Sequence, residues 1–249
     1  MNVLQDIWET NRTIIPKSIR LTLNNWPIIF TGLVYSILLG VLLRVASLFW
    51  ILGGIIATLI QSAVISNYLY LIENIIRHGK ISFEDFKYGF KVYIWKIYVV
   101  MIVIWFVNYG ASLFLRPILN IGIGPISLWL FLQGAAFILF NCLPEVIYQK
   151  DYMVGDSFTY CIDFVKENWI DWFIPNIILV IFLYVMMGKR LLWGSFLGSI
   201  SFLSLSNGFV FYVIGQILLS FAMVYRGLLF DILSGTSRRK RMFMRNIYK

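Results

Sequence analysis

Residues 97–115 read IYVVMIVIWFVNYGASLFL, and this stretch contains no charged side chain. A helix needs about 20 predominantly apolar residues to cross the roughly 30 Å hydrocarbon core of a bilayer, so the stretch predicts a membrane span. The whole chain has this character, because 60% of its 249 residues are hydrophobic and only 13% are charged. Soluble domains carry about a quarter charged residues. The composition excludes a soluble enzyme, a disordered chain and a disulfide scaffold, and predicts a polytopic membrane protein.

The predicted fold is an all-α, polytopic transmembrane helix bundle of six spans, which forms a single integral membrane domain over residues 1–249. The spans are predicted at 27–43, 48–72, 92–115, 121–148, 173–187 and 207–233. The spans form three pairs, at 27–72, 92–148 and 173–233. A lead-in at 1–26 precedes the first pair, an amphipathic segment at 73–91 precedes the second, and an amphipathic helix at 149–172 precedes the third. A basic tail follows at 234–249.

The distribution of Lys and Arg predicts the orientation of the spans. Three of the 21 basic residues precede residue 27, five lie at 77–96, two at 150–166 and seven from 226 onward. All of these segments fall on one predicted side, and the opposite side carries only four. The positive-inside rule therefore predicts that both termini are cytoplasmic and that the chain lies in a bacterial cytoplasmic membrane. The net charge of +9 is accordingly assigned to the membrane surface rather than to nucleic acid.

The predicted helix at 151–172 separates acidic residues from aromatic ones. At about 100° per residue, its acids fall within about 80° of one another. They are Asp156, Asp163, Glu167 and Asp171. The opposite face contains two tryptophans, so the helix is predicted to lie in the membrane interface. The predicted interfacial anchors are Trp26, Trp169 and Trp172.

Two interpretations of this acidic stripe remain open. It is either a solvated face or a protein-contact surface for a basic element, belonging to the chain's own tail or to a partner. The tail offers Arg238, Arg239, Lys240 and Arg241. A metal site is disfavoured, because carboxylates spread over several turns do not converge on one ion.

Two further cytoplasmic helices are predicted to be amphipathic. Ser82 and Asp85 resemble a capping box that begins a helix over residues 81–96. Near the N-terminus, Ile7 and Trp8 line one side of a helix that Pro16 is expected to interrupt.

A pattern N-W-x-x-x-F begins at Asn25 and again at Asn168, an offset of 143 residues. Both copies stand where a lead-in helix turns into a span. Duplication of a parallel unit and coincidence both remain open.

Glu145 is the strongest candidate for an intramembrane polar site, together with Asn141 one turn earlier. Pro144 frees backbone carbonyls nearby, which polar groups must satisfy. Glu145 either binds a cation or relays a proton, or it is a structural residue near the cytoplasmic edge that pairs with Lys150 or Arg226. The second interpretation is favoured. Arg226 itself is expected to lie near that edge, with its charged head reaching toward water.

The sequence contains no recognisable catalytic constellation. The single His78 excludes a cluster of histidine ligands within this chain, and Cys142 and Cys161 are interpreted as free thiols. We therefore predict no enzymatic activity, no cofactor and no metal.

Several short motifs resemble a group of bacterial six-span membrane proteins. They are residues 79–86 (GKISFEDF), 144–148 (PEVIY), 156–158 (DSF) and 166–169 (KENW). The group includes the membrane domain attached to some glycerophosphodiester phosphodiesterases and related uncharacterised families. The resemblance implies a six-span fold, and no phosphodiesterase activity, because this sequence contains no such catalytic domain.

The function expected from the sequence is that of a non-catalytic accessory or scaffolding subunit, which works through its cytoplasmic amphipathic helices. The alternatives are a transport subunit or small-solute permease and, third, a membrane enzyme that acts on lipid. The expected partners are the lipid bilayer and either a membrane protein or a second copy of the chain.

Overall fold

The computed structural model describes residues 3–114, 122–123, 126–187 and 209–236. Helices dominate these residues: α1 Val3–Asn24, α2 Ile28–Ser47, α3 Ile51–His78, α4 Phe83–Val92, α5 Ile94–Phe114, α6 Leu128–Leu139, α7 Leu143–Gln149, α8 Val154–Met187 and α9 Phe209–Gly235. Two short strands, β1 Gly122–Ile123 and β2 Ile126–Ser127, pair antiparallel before α6. The prediction of an all-α helical bundle is confirmed.

Five of these helical segments are long and apolar enough to cross a membrane, as a multi-pass membrane protein requires. They are Ile28–Ser47, Leu52–His78, Ile94–Phe114, Leu128–Gln149 and Val213–Gly235. The predicted span at 173–187 falls in the second part of α8 and is not among the five. Residues 188–208 lie outside the described part of the chain.

The fourth of these segments, which overlaps the predicted span at 121–148, contains a break. Helix α6 ends at Leu139 and α7 begins at Leu143. Pro144 lacks an N–H and its ring would clash with the carbonyl of Phe140 in a continuous helix. Instead, the Leu143 N–H donates to the Phe140 carbonyl at 3.1 Å, and Pro144 occupies the first turn of α7, where no donor is needed.

Pro16 does not interrupt α1, so the prediction of a break there is wrong. The helix continues from Val3 to Asn24 with the proline inside it. Ile14 and Ser18, on either side of Pro16, are buried, and the Tyr225 hydroxyl of α9 donates to the Asn11 side chain. A proline inside a helix costs about 3 kcal/mol, which the packing of α1 on the bundle offsets.

Asn25 and Asn168 have the same local role at the two N-W-x-x-x-F motifs. Asn25 follows the end of α1, and Asn168 has non-helical backbone angles inside α8 (φ −121°, ψ 16°). Each side-chain amide donates to the carbonyl four residues earlier, at 2.9 Å for Asn25 and 3.2 Å for Asn168. Both asparagines are buried, and the tryptophans after them, Trp26 and Trp169, are 61% and 59% exposed. The two motifs therefore share a local structure as well as a sequence pattern.

Two predictions for the residues after the kink at Asn168 are wrong. Asp171, predicted on the exposed acidic stripe, is buried, and Trp172, predicted as an interfacial anchor, is completely buried in the core. At about 100° per residue both lie on the side of Cys161 and Phe164, which are also buried, so this side of α8 packs against protein rather than against water or the membrane interface. Asp156 and Asp163, before the kink, are exposed.

Helix α9 contains the most buried of the five candidate spans. Of its candidate span, 72% is buried, against 11% of the span in α5. Gly227 permits this packing, because a Cβ there would overlap the Tyr148 hydroxyl and the side chain of Ile76. The Gly227 carbonyl accepts a hydrogen bond from Gln149 Nε2 at 2.8 Å, which ties α9 to the end of α7.

We expect Gly227→Ala to lower the free energy of unfolding by about 1–3 kcal/mol, because the added methyl group overpacks the contact with α7. Gly40→Ala in α2 is the matched control, since a methyl group added at Gly40 would have no other atom within 4 Å. Thermal unfolding in mild detergent measures both variants. Equal stability of the two would contradict the close approach at Gly227.

Candidate functional site

A buried ion pair joins α7 to α9. Arg226 Nε donates to Glu145 Oε1 at 2.7 Å, and Arg226 Nη2 donates to Glu145 Oε2 at 2.9 Å. Both side chains are almost completely buried, at 2% and 0% exposure. The two parallel bonds match the fork of the guanidinium to both carboxylate oxygens, which is the strongest geometry for such a pair.

Asn141 and Trp172 complete the surroundings of Arg226. The guanidinium donates to the Asn141 side-chain oxygen at 3.0 Å and to the Asn141 carbonyl at 2.7 Å. The Trp172 indole N–H donates to the same side-chain oxygen at 3.1 Å. The guanidinium carbon lies 4.8 Å from the Trp172 ring centre, within range of a cation–π interaction. We refer to Asn141, Glu145, Trp172 and Arg226 as the arginine cluster.

The break between α6 and α7 positions two partners of Arg226. It places the Asn141 carbonyl just outside the N-terminus of α7, where Arg226 can bind it. Glu145 lies in the first turn of α7, where the helix dipole stabilises a negative charge. Trp172 reaches Arg226 from the buried side of α8, which it shares with Cys161 and Phe164.

The arginine cluster shows which of the two possible partners pairs with Glu145. Arg226 is the partner, and Lys150 instead lies over the Tyr160 ring, with its Nζ 5.8 Å from the ring centre. The prediction that Arg226 reaches toward water is wrong, because its donors bind Glu145 and Asn141 and the side chain is buried. A mobile proton on Glu145 would leave the Arg226 charge buried beside a neutral acid, which is costly. The geometry therefore favours a structural role.

A second polar network fixes α4 against α2 and α3. The Tyr35 hydroxyl donates to the Asn67 side chain, whose amide donates to the Phe86 carbonyl of α4. Ser66 donates to the Gly89 carbonyl at 2.7 Å and accepts from the Tyr93 N–H at 2.8 Å. The capping box is present at the start of α4, with reciprocal Ser82 and Asp85 bonds.

Tyr93 and Asp151 are among the ionisable groups outside the candidate spans whose pKa values are shifted. Burial and the hydrogen bond to the Glu73 carboxylate raise the pKa of Tyr93. Lys96 Nζ donates to the Asp151 carboxylate at 2.9 Å, and this bond lowers the pKa of that exposed group. Each of these two pKa shifts arises from a contact between two parts of the chain. Tyr93, after α4, contacts Glu73 in α3, and Asp151, between α7 and α8, contacts Lys96 in α5.

The exposed part of the predicted stripe consists of Asp156, Asp163 and Glu167, which we call the acidic face of α8. Asp163 pairs with Lys166 at 3.7 Å, and both side chains are exposed. The four basic residues of the tail, Arg238, Arg239, Lys240 and Arg241, lie outside the described part of the chain. Within the described ranges, no group of three or more His, Cys, Asp or Glu side chains could hold a metal ion.

No protein-family model, no curated protein and no solved structure matches this chain. The resemblance to bacterial six-span membrane proteins therefore stays a prediction.

We expect Glu145→Gln to lower the free energy of unfolding by about 3–5 kcal/mol, because it leaves the buried Arg226 charge without its carboxylate. The double variant Glu145→Gln with Arg226→Gln removes both charges and should recover a large part of that loss. Thermal unfolding of the unmodified chain, Glu145→Gln, Arg226→Gln and the double variant in mild detergent gives the coupling between the two positions. Strictly additive losses would show that the pair does not act as a unit.

Proposed function

We propose that this chain is a non-catalytic, multi-pass integral membrane protein that acts as an accessory or scaffolding subunit through its cytoplasmic helices. The observation that carries the proposal is the arginine cluster. Both oxygens of the Glu145 carboxylate bind Arg226, and both residues are buried. An acid held in this way joins two helices, whereas a coupling group of a transporter needs access to its proton or ion. This geometry supports the scaffolding role over transport.

We also propose the finer topology, with six spans and both termini cytoplasmic, in a bacterial cytoplasmic membrane. The second part of α8 supplies the remaining span, because residues 173–187 form an apolar helical segment after the kink. The excess of Lys and Arg on one side supports the orientation. The motif resemblance to six-span proteins supports the count.

Cysteine labelling in intact cells tests this topology. Met153→Cys lies at an exposed position between α7 and α8, on the proposed inner side. Leu48→Cys lies at an exposed position between α2 and α3, on the proposed outer side. An impermeant maleimide added outside should label Leu48→Cys and not Met153→Cys, and permeabilisation should expose the second site. The reverse pattern would invert the proposed orientation.

The acidic face of α8 is the proposed contact surface for a partner. Its three carboxylates lie before the kink and point away from the core, while Cys161 and Phe164 on the same stretch are buried. The packing of the apolar side holds the helix in place, so the acids are available for a basic element. That element is the chain's own basic tail or a basic patch of another protein.

We expect the triple variant Asp156→Asn, Asp163→Asn, Glu167→Gln to keep its unfolding temperature, since exposed ion pairs contribute at most about 1 kcal/mol each. It should lose copurification of a partner in mild detergent, or leave the tail more sensitive to protease. The matched control, Glu84→Gln, Asp151→Asn, Asp231→Asn, removes the same charge from exposed sites elsewhere. If both triples behave like the unmodified chain, the acidic face is only solvated.

A further inference from the structure

Helix α1 presents a polar face to the protein. Its buried residues recur every fourth position and, apart from Ile14, they are polar: Asp6, Thr10, Ile14, Ser18 and Thr22. This face packs toward α9 and toward the turn after α3, where a Cβ added at Gly79 would lie 4.0 Å from the Leu21 side chain. Asn25, just after α1, binds the same turn through the Gly79 carbonyl and the Ile81 N–H, both at 2.9 Å.

A second face of α1 is apolar and exposed. It consists of Trp8, Ile15, Ile19 and Leu23, which are between 41% and 70% exposed and fall within about 80° of one another. We call these four residues the α1 stripe. The stripe continues into Trp26 and Phe30, which are exposed at the start of α2, and from there into the exposed apolar side of that candidate span.

A third face of α1 is polar and exposed. It contains Thr13, Lys17, Arg20 and Asn24, and lies between the α1 stripe and the buried face. Arg12 is also exposed and lies within the sector of the α1 stripe, one turn after Trp8. The helix thus has a wide sector that contacts protein and two narrower sectors that face an apolar medium and water.

This arrangement is the reverse of a helix on a soluble protein, which buries its apolar side and exposes its polar side. The α1 stripe is continuous with the lipid-facing side of α2, so the same medium covers both. Basic residues beside an apolar stripe complement the negative headgroups of an anionic leaflet, where long Lys and Arg side chains reach the phosphates. A protein partner would have to cover the stripe and stop at the bilayer where α2 enters it.

We propose that α1 lies in the surface of an anionic phospholipid leaflet, with the α1 stripe at the boundary between acyl chains and headgroups. Arg12 and Arg20 bind the headgroup phosphates, and Lys17, on the water side of the helix, adds positive charge near that surface. The buried polar face of α1 packs against the rest of the bundle. Contact between the α1 stripe and lipid therefore holds this end of the bundle at the bilayer surface. This inference does not depend on the acidic face of α8, and the two are tested separately.

The test uses the full chain in phospholipid nanodiscs, where both membrane surfaces are open to solvent. An environment-sensitive fluorophore is attached to Leu23→Cys and to its neighbour Asn24→Cys, both at exposed positions. The unmodified chain, whose Cys142 and Cys161 are buried, is the labelling blank. Brominated lipid should quench the label at Leu23 several-fold more than at Asn24, and aqueous iodide should show the opposite preference. The pair Ile19→Cys and Thr13→Cys repeats the comparison nearer the N-terminus.

Equal iodide quenching at Leu23 and Asn24 would overturn the proposal. Cross-linking between labelled copies at Leu23, dependent on protein concentration, would assign the stripe to a second copy of the chain and would overturn it as well.

Discs of phosphatidylcholine alone and discs that also contain phosphatidylglycerol test the headgroup part. The anionic lipid should strengthen the lipid quenching at Leu23, and high salt should reverse that gain. The variant Arg12→Gln, Lys17→Gln, Arg20→Gln should lose the gain and keep the basal lipid quenching, because the α1 stripe is unchanged. If the chain with its native Arg12, Lys17 and Arg20 shows equal lipid quenching at Leu23 in both kinds of disc, the anionic preference is overturned.

Discussion

The guanidinium of Arg226 is the point on which the packed core depends. It binds Glu145 at the start of α7, the Asn141 carbonyl in the break before α7, and the ring of Trp172 in α8. A charge inside a membrane bundle is costly unless its partners are fixed around it, so α7, α8 and α9 must meet at this residue. The break at Pro144 places the Asn141 carbonyl where Arg226 can bind it, and Trp172 reaches the same point from the buried side of α8. The glycine at 227, one residue further along α9, then brings α7 and α3 into contact with the same helix.

The helical framework could be predicted from the sequence, because it follows from local chemistry. Long apolar runs need the bilayer, so five of the predicted spans correspond to helices of sufficient length and apolar composition. The Ser82 and Asp85 pair acts over three residues, and its capping box is present as predicted. Pro16 misled the prediction, because the rule for a proline in a helix is local while the packing of Ile14 and Ser18 is not. Only the folded chain shows that this packing outweighs one lost hydrogen bond.

The candidate site could be predicted only in part. Glu145 and Asn141 stand out in the sequence because polar residues in an apolar run are rare and need partners. The sequence offers Arg226 and Lys150 as partners of Glu145 but cannot decide between them, because Arg226 is 81 residues away and no periodicity connects the two positions. The projection groups Trp172 with Cys161 and Val165, but it does not show that this side of α8 packs against protein rather than in the membrane interface.

The separation of Glu145 and Arg226 along the chain has a consequence for biosynthesis. At a translation rate of about 5–20 residues per second, Arg226 leaves the ribosome roughly 4–16 seconds after Glu145. During that interval α6 and α7 can enter the membrane, but the carboxyl group has neither its counter-ion nor its place in a core. Insertion and packing are therefore separate stages, and packing waits for α9. A nascent chain stalled before α9 would expose an unshielded acid to lipid, which is the kind of feature that membrane insertases and quality-control proteases encounter.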